Sequence, residues 1–427
     1  MISEIQEKTK ETEFGPIPED WDLLPIYDLA IWINGLAFKN INFSSNGKPV
    51  IKINELKYGV TEQTRFTNDV FSNDYFLSKG DLLFSWSGSP DTSIDAFWYN
   101  LPDGWLNQHI FKVKPKDKVT VDFLYYLFKV NKQRFIEIAR DKQTTGLGHV
   151  TIADLKRFNV VLPEIYEQKK IAEILSSLDD KIELNRQENS NLEKLANVLF
   201  KHWFVDFEFP DKDGKPYKSS GGKMIDSELG KIPERWKAGE LTDVCEFNPV
   251  YSLPKGTIAK YAEMKDLPET GMSIRNFIAR EFKSGSKFAN DDTLLARITP
   301  CLENGKTGYV DFLGNSEIGW GSTEFIVLHP ARRELSEFLY IQSRLDSFRE
   351  HAIQSMSGSS GRQRVQINSL VAYRIIVPDK LTILKFHELV RPLFEQIKFN
   401  FDQSKRLTEV RDSLLPRLMS GKIRLNI

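Results

Sequence analysis

Apolar residues recur at alternating spacings of four and three along one stretch of the chain. They are Ile171, Leu175, Leu178 and Ile182, then Leu192, Ala196, Leu199 and Trp203, with Asn185 and Asn189 in the middle. This is the a/d seam of a heptad repeat with a polar interruption. A second stretch follows the same rule with Phe386, Val390, Leu393, Ile397, Asn400, Ser404, Leu407, Arg411, Leu414 and Leu418. No Pro or Gly interrupts residues 164–206, so the first seam predicts one helix of roughly 65 Å at ~1.5 Å per residue. The second predicts its counterpart, beginning after Pro378 and kinked early by Pro392. Elsewhere the pattern changes to short β-rich runs at 49–53, 81–85, 110–113, 324–328 and 374–377, punctuated by Gly, Asn, Asp and Pro. Helical segments are predicted over 121–140 and 334–351. The blocks that precede the two long helices therefore read as mixed α/β globules.

The pattern is duplicated. Gly15-Pro16-Ile17-Pro18-Glu19-Asp20-Trp21 returns 215 residues later as Gly230-Lys231-Ile232-Pro233-Glu234-Arg235-Trp236. The same shift relates Phe123-Leu124-Tyr125 to Phe338-Leu339-Tyr340, Val150-x-Ile152-x-x-Leu155 to Val365-x-Ile367-x-x-Leu370, and Asn185 to Asn400. Asp81-Leu82-Leu83-Phe84 matches Asp292-Thr293-Leu294-Leu295 only with a shift of 211, so the copies carry different insertions there. A period this long means two copies of a whole unit rather than a solenoid. The expected organisation is a first domain over 1–162, a helix over 163–206, a linker over 207–228, a second domain over 229–377 and a helix over 378–427. Two long matching helices most simply pair with each other. A helix that leaves one domain and a second that returns would pair antiparallel, setting Asn185 against Asn400 in a register-fixing polar layer. The expected fold is α+β: two similar mixed α/β domains separated by an antiparallel coiled coil, with a pseudo-two-fold internal repeat.

Composition narrows the class. The chain has 427 residues, 41% hydrophobic and 27% charged, with a net charge of −1, so no global basic field announces nucleic acid. The first helical segment carries six basic against nine acidic residues and the second ten against six, opposite signs that suit pairing. No apolar run approaches the ~18–20 residues of a membrane span. The polar N-terminus has no secretory h-region, and two cysteines make no disulfide framework, so the cytoplasm is the default expectation. Catalytic signatures are missing. Gly305-Lys306-Thr307 has Pro300 where a P-loop needs its first Gly, no Gly-rich dinucleotide fingerprint is present, and the six histidines show no i, i+4 pairing. No N-P-P-Y or D-P-P-Y tetrapeptide of the kind used on flipped bases occurs.

Several segments are similar to the specificity (S) subunits of type I restriction–modification systems. Leu162-Pro163, Gln168-Lys169-Lys170-Ile171-Ala172, Ile174-Leu175-Ser176 and Leu178-Asp179-x-Lys181-Ile182 resemble the spacer of that family. Leu199-Phe200-Lys201-x-Trp203-Phe204-Val205-Asp206-Phe207, and Met224 to Trp236, resemble the join to the second target recognition domain. Leu414-Leu415-Pro416-x-Leu418-x-Ser420-Gly421 resembles the family's C-terminal end. The resemblance implies a non-catalytic subunit whose two domains read the halves of a split site in double-stranded DNA. It implies helices that bind two methyltransferase (M) subunits and, through them, restriction (R) subunits. It implies no cofactor on this chain, with S-adenosylmethionine, ATP and Mg on the partners that methylate adenine or cleave DNA. The rival reading is a coiled-coil scaffold whose two heads bind proteins.

Three segments per domain are candidates for DNA contact. Asn107-Gln108-His109 aligns with Ser322-Thr323-Glu324; these are polar side chains of the kind that reach base edges, Gln to adenine or Glu to cytosine. Trp86-Ser87 and Arg297-x-Thr299 end the preceding strand, with Lys306 shortly after. A Gly-rich loop precedes each long helix. One bears Lys142, Thr144, Thr145 and His149, the other Ser359, Ser360, Arg362 and Arg364, and each can set cations and backbone N–H groups against phosphates.

Overall fold

The computed structural model describes residues 2–3, 8–39, 41–143, 146–359 and 361–425. The chain folds as two compact units: residues 1–181 with 406–427, and residues 182–405. Each long helix contributes its two ends to different units.

Unit one is built on a four-stranded antiparallel sheet in the order Asp95–Trp98, Leu82–Ser85, Ile110–Pro115, Ala30–Asn34. Leu82–Ser85 is buried on both faces, which is why it reads as a continuous apolar run without alternation. Phe84 stacks on Phe128 at 4.9 Å and tilts against Phe135, both from helices on one face. Leu83 points into a second cluster with Ile51, Leu77, Leu106 and Ile110. That cluster belongs to a smaller sheet in which Gly104–Leu106 pairs parallel with Lys48–Ile51 and antiparallel with Phe76–Leu77. The predicted helix over 121–140 is two helices, Val121–Val130 and Lys132–Asp141. Asn131 ends the first turn-stack by donating from its side-chain amide to the Leu127 carbonyl.

Unit two repeats this design. Its antiparallel sheet runs Cys245–Phe247, Phe325–Pro330, Thr293–Ala296, Thr307–Tyr309. Its smaller sheet pairs Gly319–Gly321 parallel with Ile258–Ala262 and antiparallel with Ser286–Phe288. Asp22–Pro25 pairs with Asn159–Leu162 in unit one, and Lys237–Glu240 with Arg374–Val377 in unit two. The second predicted helical segment is likewise two helices, Ser336–Arg344 and Asp346–Gln354.

The repeated Gly-x-Ile-Pro-x-x-Trp motif has the same structural duty in both units. Gly15–Pro18 and Gly230–Pro233 each close a hairpin, burying Ile17 and Ile232. Trp21 is fully buried, and its indole N–H donates to Glu167 Oε2 at 3.1 Å; Trp236 donates to Asp379 Oδ2 at the same distance. An apolar ring with one polar handle needs a nearby acceptor when buried, and the start of each long helix supplies it.

The long helices span Ile165–Phe200, continuing as a π-turn through Lys201–Val205, and Lys380–Met419. Pro392 does not end the second helix. It is exposed, so water reaches the carbonyl it deprives of a partner. Within unit one the helical segments run antiparallel, with Asp179 bonded to Arg411 at 2.6 Å and Glu167 to Arg424 at 2.8 Å. Within unit two the order also reverses: Asn185 donates to Ser404 Oγ (3.1 Å) and Gln403 Oε1 (2.9 Å), and Asn400 donates to Asn189 Oδ1 (2.9 Å). The expected face-to-face Asn185–Asn400 pair is thus one helical turn out. Asn185 reaches only the backbone carbonyl of Asn400, at 3.3 Å. Because 185 maps to 400 and 189 to 404 under the 215-residue shift, the Asn185–Ser404 and Asn400–Asn189 contacts are copies of one another.

The expected linker over 207–228 falls within unit two, and its first part is packed onto that unit. Phe207 and Phe209 are buried, and Phe209 stacks between Tyr217 and Trp236 at 4.6 and 4.8 Å. Among the described residues no helix is long and apolar enough to cross a membrane.

Candidate nucleic-acid interface

The three candidate segments of unit one converge where Leu82–Ser85 ends. Trp86 N–H donates to the His109 carbonyl at 3.2 Å, and Val150 N–H donates to the Trp86 carbonyl at 2.8 Å. Ser87–Gly88 pairs with Gly148–His149 as a short antiparallel ladder. The side chains follow. Trp86 stacks on Phe111 at 5.5 Å, is flanked by His109 and His149 (both 6.1 Å), and donates its indole N–H to Asn34 Oδ1. Ser87 Oγ lies 3.1 Å from His149 Nδ1, and Gln108 Nε2 lies 3.2 Å from His109 Nε2. Partial burial, with His149 and Lys52 nearby, holds the His109 imidazole below its usual pKa, so it is neutral at pH 7 and can both donate and accept.

Unit two makes the same junction with different chemistry. Arg297 N–H donates to the Glu324 carbonyl at 3.0 Å, and Val365 N–H donates to the Arg297 carbonyl at 2.8 Å. Trp86, His109 and His149 are therefore the structural counterparts of Arg297, Glu324 and Arg364. Arg364 grips Glu324 with a bidentate fork, Nε to Oε2 at 2.9 Å and Nη2 to Oε1 at 2.6 Å, while Arg297 Nε stands 3.9 Å from the same carboxylate. The Arg364 hydrogen bond holds the Glu324 carboxyl below its usual range, so the trio carries two positive charges and one negative. Unit one thus presents an aromatic and imidazole surface. Unit two presents a charged fork.

The other candidates divide by what they touch. Asn107 is buried and accepts from His109 N–H at 3.4 Å, while Gly35 passes so close to the Asn107 carbonyl that no Cβ would fit there. It shapes the turn rather than facing out. Ser322 accepts from Glu324 N–H at 3.1 Å in the matching turn, and Thr323 is exposed. Thr299 Oγ accepts from Gln363 N–H, which ties the Arg364 loop to the strand end. Lys142 is held by Asp154, and Lys306 donates to the Met264 carbonyl at 3.1 Å, so both ammonium groups have protein partners. Ser359 and Arg362 form an exposed turn, Arg362 N–H donating to the Ser359 carbonyl at 3.0 Å. Thr144, Thr145 and Ser360 lie outside the described residues. Sequence reasoning missed Asn34 and Lys52 in unit one, and Asn248, Tyr251 and Lys287 in unit two. Asn34 and Lys287 arrive on paired strands and the others on adjoining loops, and no local motif marks them. Among the described residues no group of three or more His, Cys, Asp or Glu side chains is placed to hold a metal ion.

A chain with two copies of one fold, each ending a central strand in a cluster of different polar residues, has the architecture of a two-part recognition protein. Residues 18–194 match the family described as type I restriction modification DNA specificity domain. Similarity extends beyond that match. The chain is 26% identical to the type I restriction enzyme MjaIX specificity subunit of Methanocaldococcus jannaschii, over 97% of this chain and 96% of the relative. It is 27% identical to the HindI specificity subunit of Haemophilus influenzae, over 81% and 87%. The crystal structure of a type I restriction–modification S subunit from M. genitalium superposes with a TM-score of 0.58 at 17% identity, covering 93% of this chain and 96% of that one, which shows a shared fold. Over residues 18–194 the chain matches the type I specificity domain, and over nearly its whole length it is similar to specificity subunits of type I restriction–modification systems.

Proposed function

We propose that this chain selects the DNA site of a type I restriction–modification complex, with each unit reading one half of a split, asymmetric site. The observation that carries this reading is the pair of equivalent junctions, Trp86–His109–His149 and Arg297–Glu324–Arg364. A conserved scaffold geometry with exchanged side chains suits readers of two different sequences. Aromatic and imidazole groups suit stacking and edge hydrogen bonds, while an Arg–Glu–Arg fork suits bidentate recognition of base edges. The long helices serve as the docking surface for two methyltransferase subunits, with restriction subunits joining through them, and their length sets the gap between half-sites. Methyl transfer and cleavage belong to those partners, which bring S-adenosylmethionine, ATP and Mg. The protein-binding scaffold is disfavoured because the full-length relatives are named specificity subunits.

The test is reconstitution. Alone, the purified chain should show no methyltransferase, nuclease or ATPase activity. Mixed with its methyltransferase subunits and S-adenosylmethionine, it should confer methylation at one split motif. Methyl transfer by the isolated chain, or methylation without sequence preference in the mixture, would refute the reading.

A further inference from the structure

Unit two holds a cleft of about 320 Å³ beside its junction, whose lining includes Asn248, Tyr251, Ser286, Lys287, Arg297 and Thr323. No carboxylate lines it. Lys287 has no carboxylate among its hydrogen-bond partners here, and Arg297 shares the single Glu324 carboxylate with Arg364. Lys287 Nζ donates to the Tyr251 carbonyl at 2.9 Å and lies 5.1 Å over the Phe282 ring, which leaves two ammonium hydrogens unused by that bond. Arg297 Nε is buried without a hydrogen-bond partner, and the carboxylate that approaches it, Glu324, is already occupied by Arg364. Asn248 spends its side-chain carbonyl on Val327 N–H, so its amide hydrogens remain as donors. Thr323 stands exposed at the rim.

We infer that this cleft takes a backbone phosphate of the DNA, an inference that rests on the DNA-reading function proposed above. Clustered cations and neutral donors with no acidic acceptor fit an anionic oxygen with several lone pairs. A base edge would call for a mixture of donors and acceptors. The cleft is also specific to unit two. Strand register equates Lys287, opposite Trp320, with Phe76, opposite Trp105. Arg297 has Trp86 as its counterpart, and Tyr251 has Leu36 under the 215-residue shift. Unit one therefore has apolar side chains where unit two has its cations.

The experiment uses the full chain assembled with its methyltransferase subunits, binding a duplex that carries its site. Binding is measured across salt concentrations, with uncharged methylphosphonates placed one at a time along unit two's half-site. Lys287→Gln should weaken binding about tenfold at moderate salt and lower the slope of log K against log[salt] by about one. One methylphosphonate should weaken the unaltered complex similarly and add nothing to the Lys287→Gln complex. Lys287→Arg should restore binding, and the methylated motif should stay the same in both variants. If Lys287→Gln loses its melting transition, Thr323→Ala at the rim is read in the same cycle, with a smaller loss expected at the same phosphate. Full additivity at every phosphate overturns the inference. So does a changed motif in unit two's half-site, which would mean the cleft reads a base. If the unaltered complex shows no site preference at all, the DNA-reading function itself fails, an outcome distinct from either.

Discussion

Glu324 is the residue on which unit two's chemistry turns. It accepts a bidentate fork from Arg364 and faces Arg297, so its loss would release two guanidinium groups at a surface reachable by solvent. Glu324→Ala should therefore lower the melting temperature only modestly, because the Arg364 partner is solvent-accessible while Arg297 Nε, buried nearby, loses its one facing carboxylate. It should instead alter the half of the methylated motif read by unit two and leave the other half intact, as mapping of methylated bases would report. A second residue, His329, gives unit two a pH dependence. Its Nδ1 lies 2.7 Å from Asp292 Oδ1, and the hydrogen bond to that fully buried carboxylate holds the imidazole above its ordinary pKa, with Glu246 and Asp291 adding to the effect. Burial alone pushes the Asp292 carboxyl up. Bonds from Ala289 N–H, the Tyr251 hydroxyl and His329 oppose this and favour the ionised pair. A histidine raised in the folded state stabilises fully below its unfolded value of about 6.5, and loses that contribution as pH climbs through its raised value. The melting temperature should fall as pH rises through that window, and His329→Asn should flatten the dependence. Much of this residue-scale picture is readable in the sequence. The constant shift pairs His109 with Glu324 and His149 with Arg364, and a slightly shorter one pairs Trp86 with Arg297. Lys287 is not readable. The shorter shift pairs it with Phe76, as strand register does, but no local motif marks a lysine opposite Trp320 as facing a cleft.

The long helices show what a heptad seam can and cannot announce. Their existence, extent and central polar residues follow from spacing alone. The register does not, because Asn185 and Asn189 both lie on the seam and either can meet Asn400. The structure resolves this with Asn189, whose side-chain carbonyl accepts from Asn400 while its amide donates to the Ile397 carbonyl at 3.3 Å. Three buried asparagines so close together stabilise only if their donors and acceptors are matched. Asn189→Ala would leave the Asn400 amide without its partner and should cost roughly 1–3 kcal/mol in urea unfolding. Replacing Asn189 and Asn400 together by Leu should recover most of that loss, since no unmatched partner remains between them. A single and double substitution of equal cost would show that the layer is not a coupled network. Pro392 lies inside the second helix without ending it, at an exposed site of a helix packed along one side, where the missing N–H is tolerated.

At the scale of the whole molecule, the duplication is the dominant fact. Most paired elements of unit one between residues 9 and 162 have a counterpart in unit two, the Phe43–Ser44 strand beside Phe66–Thr67 being an exception. The hairpin, the Trp21 and Trp236 anchors, the sheet order and the parallel strand pair all recur. Such a fold makes each unit a module with its own buried core, centred on Phe84 and Phe123 in one and on Phe338 and Phe386 in the other. Modules of this kind should be exchangeable without retuning the rest of the chain. The central claim, that each unit reads one half of a split DNA site, is tested most directly by replacing residues 14–162 with the corresponding unit of another specificity subunit. The chimaera is then assembled with the methyltransferase subunits, and the methylated motif is mapped across a genome. The account predicts a motif in which one half is new and the other is that of the unaltered protein. A motif in which both halves change together, or an unchanged motif, would contradict it.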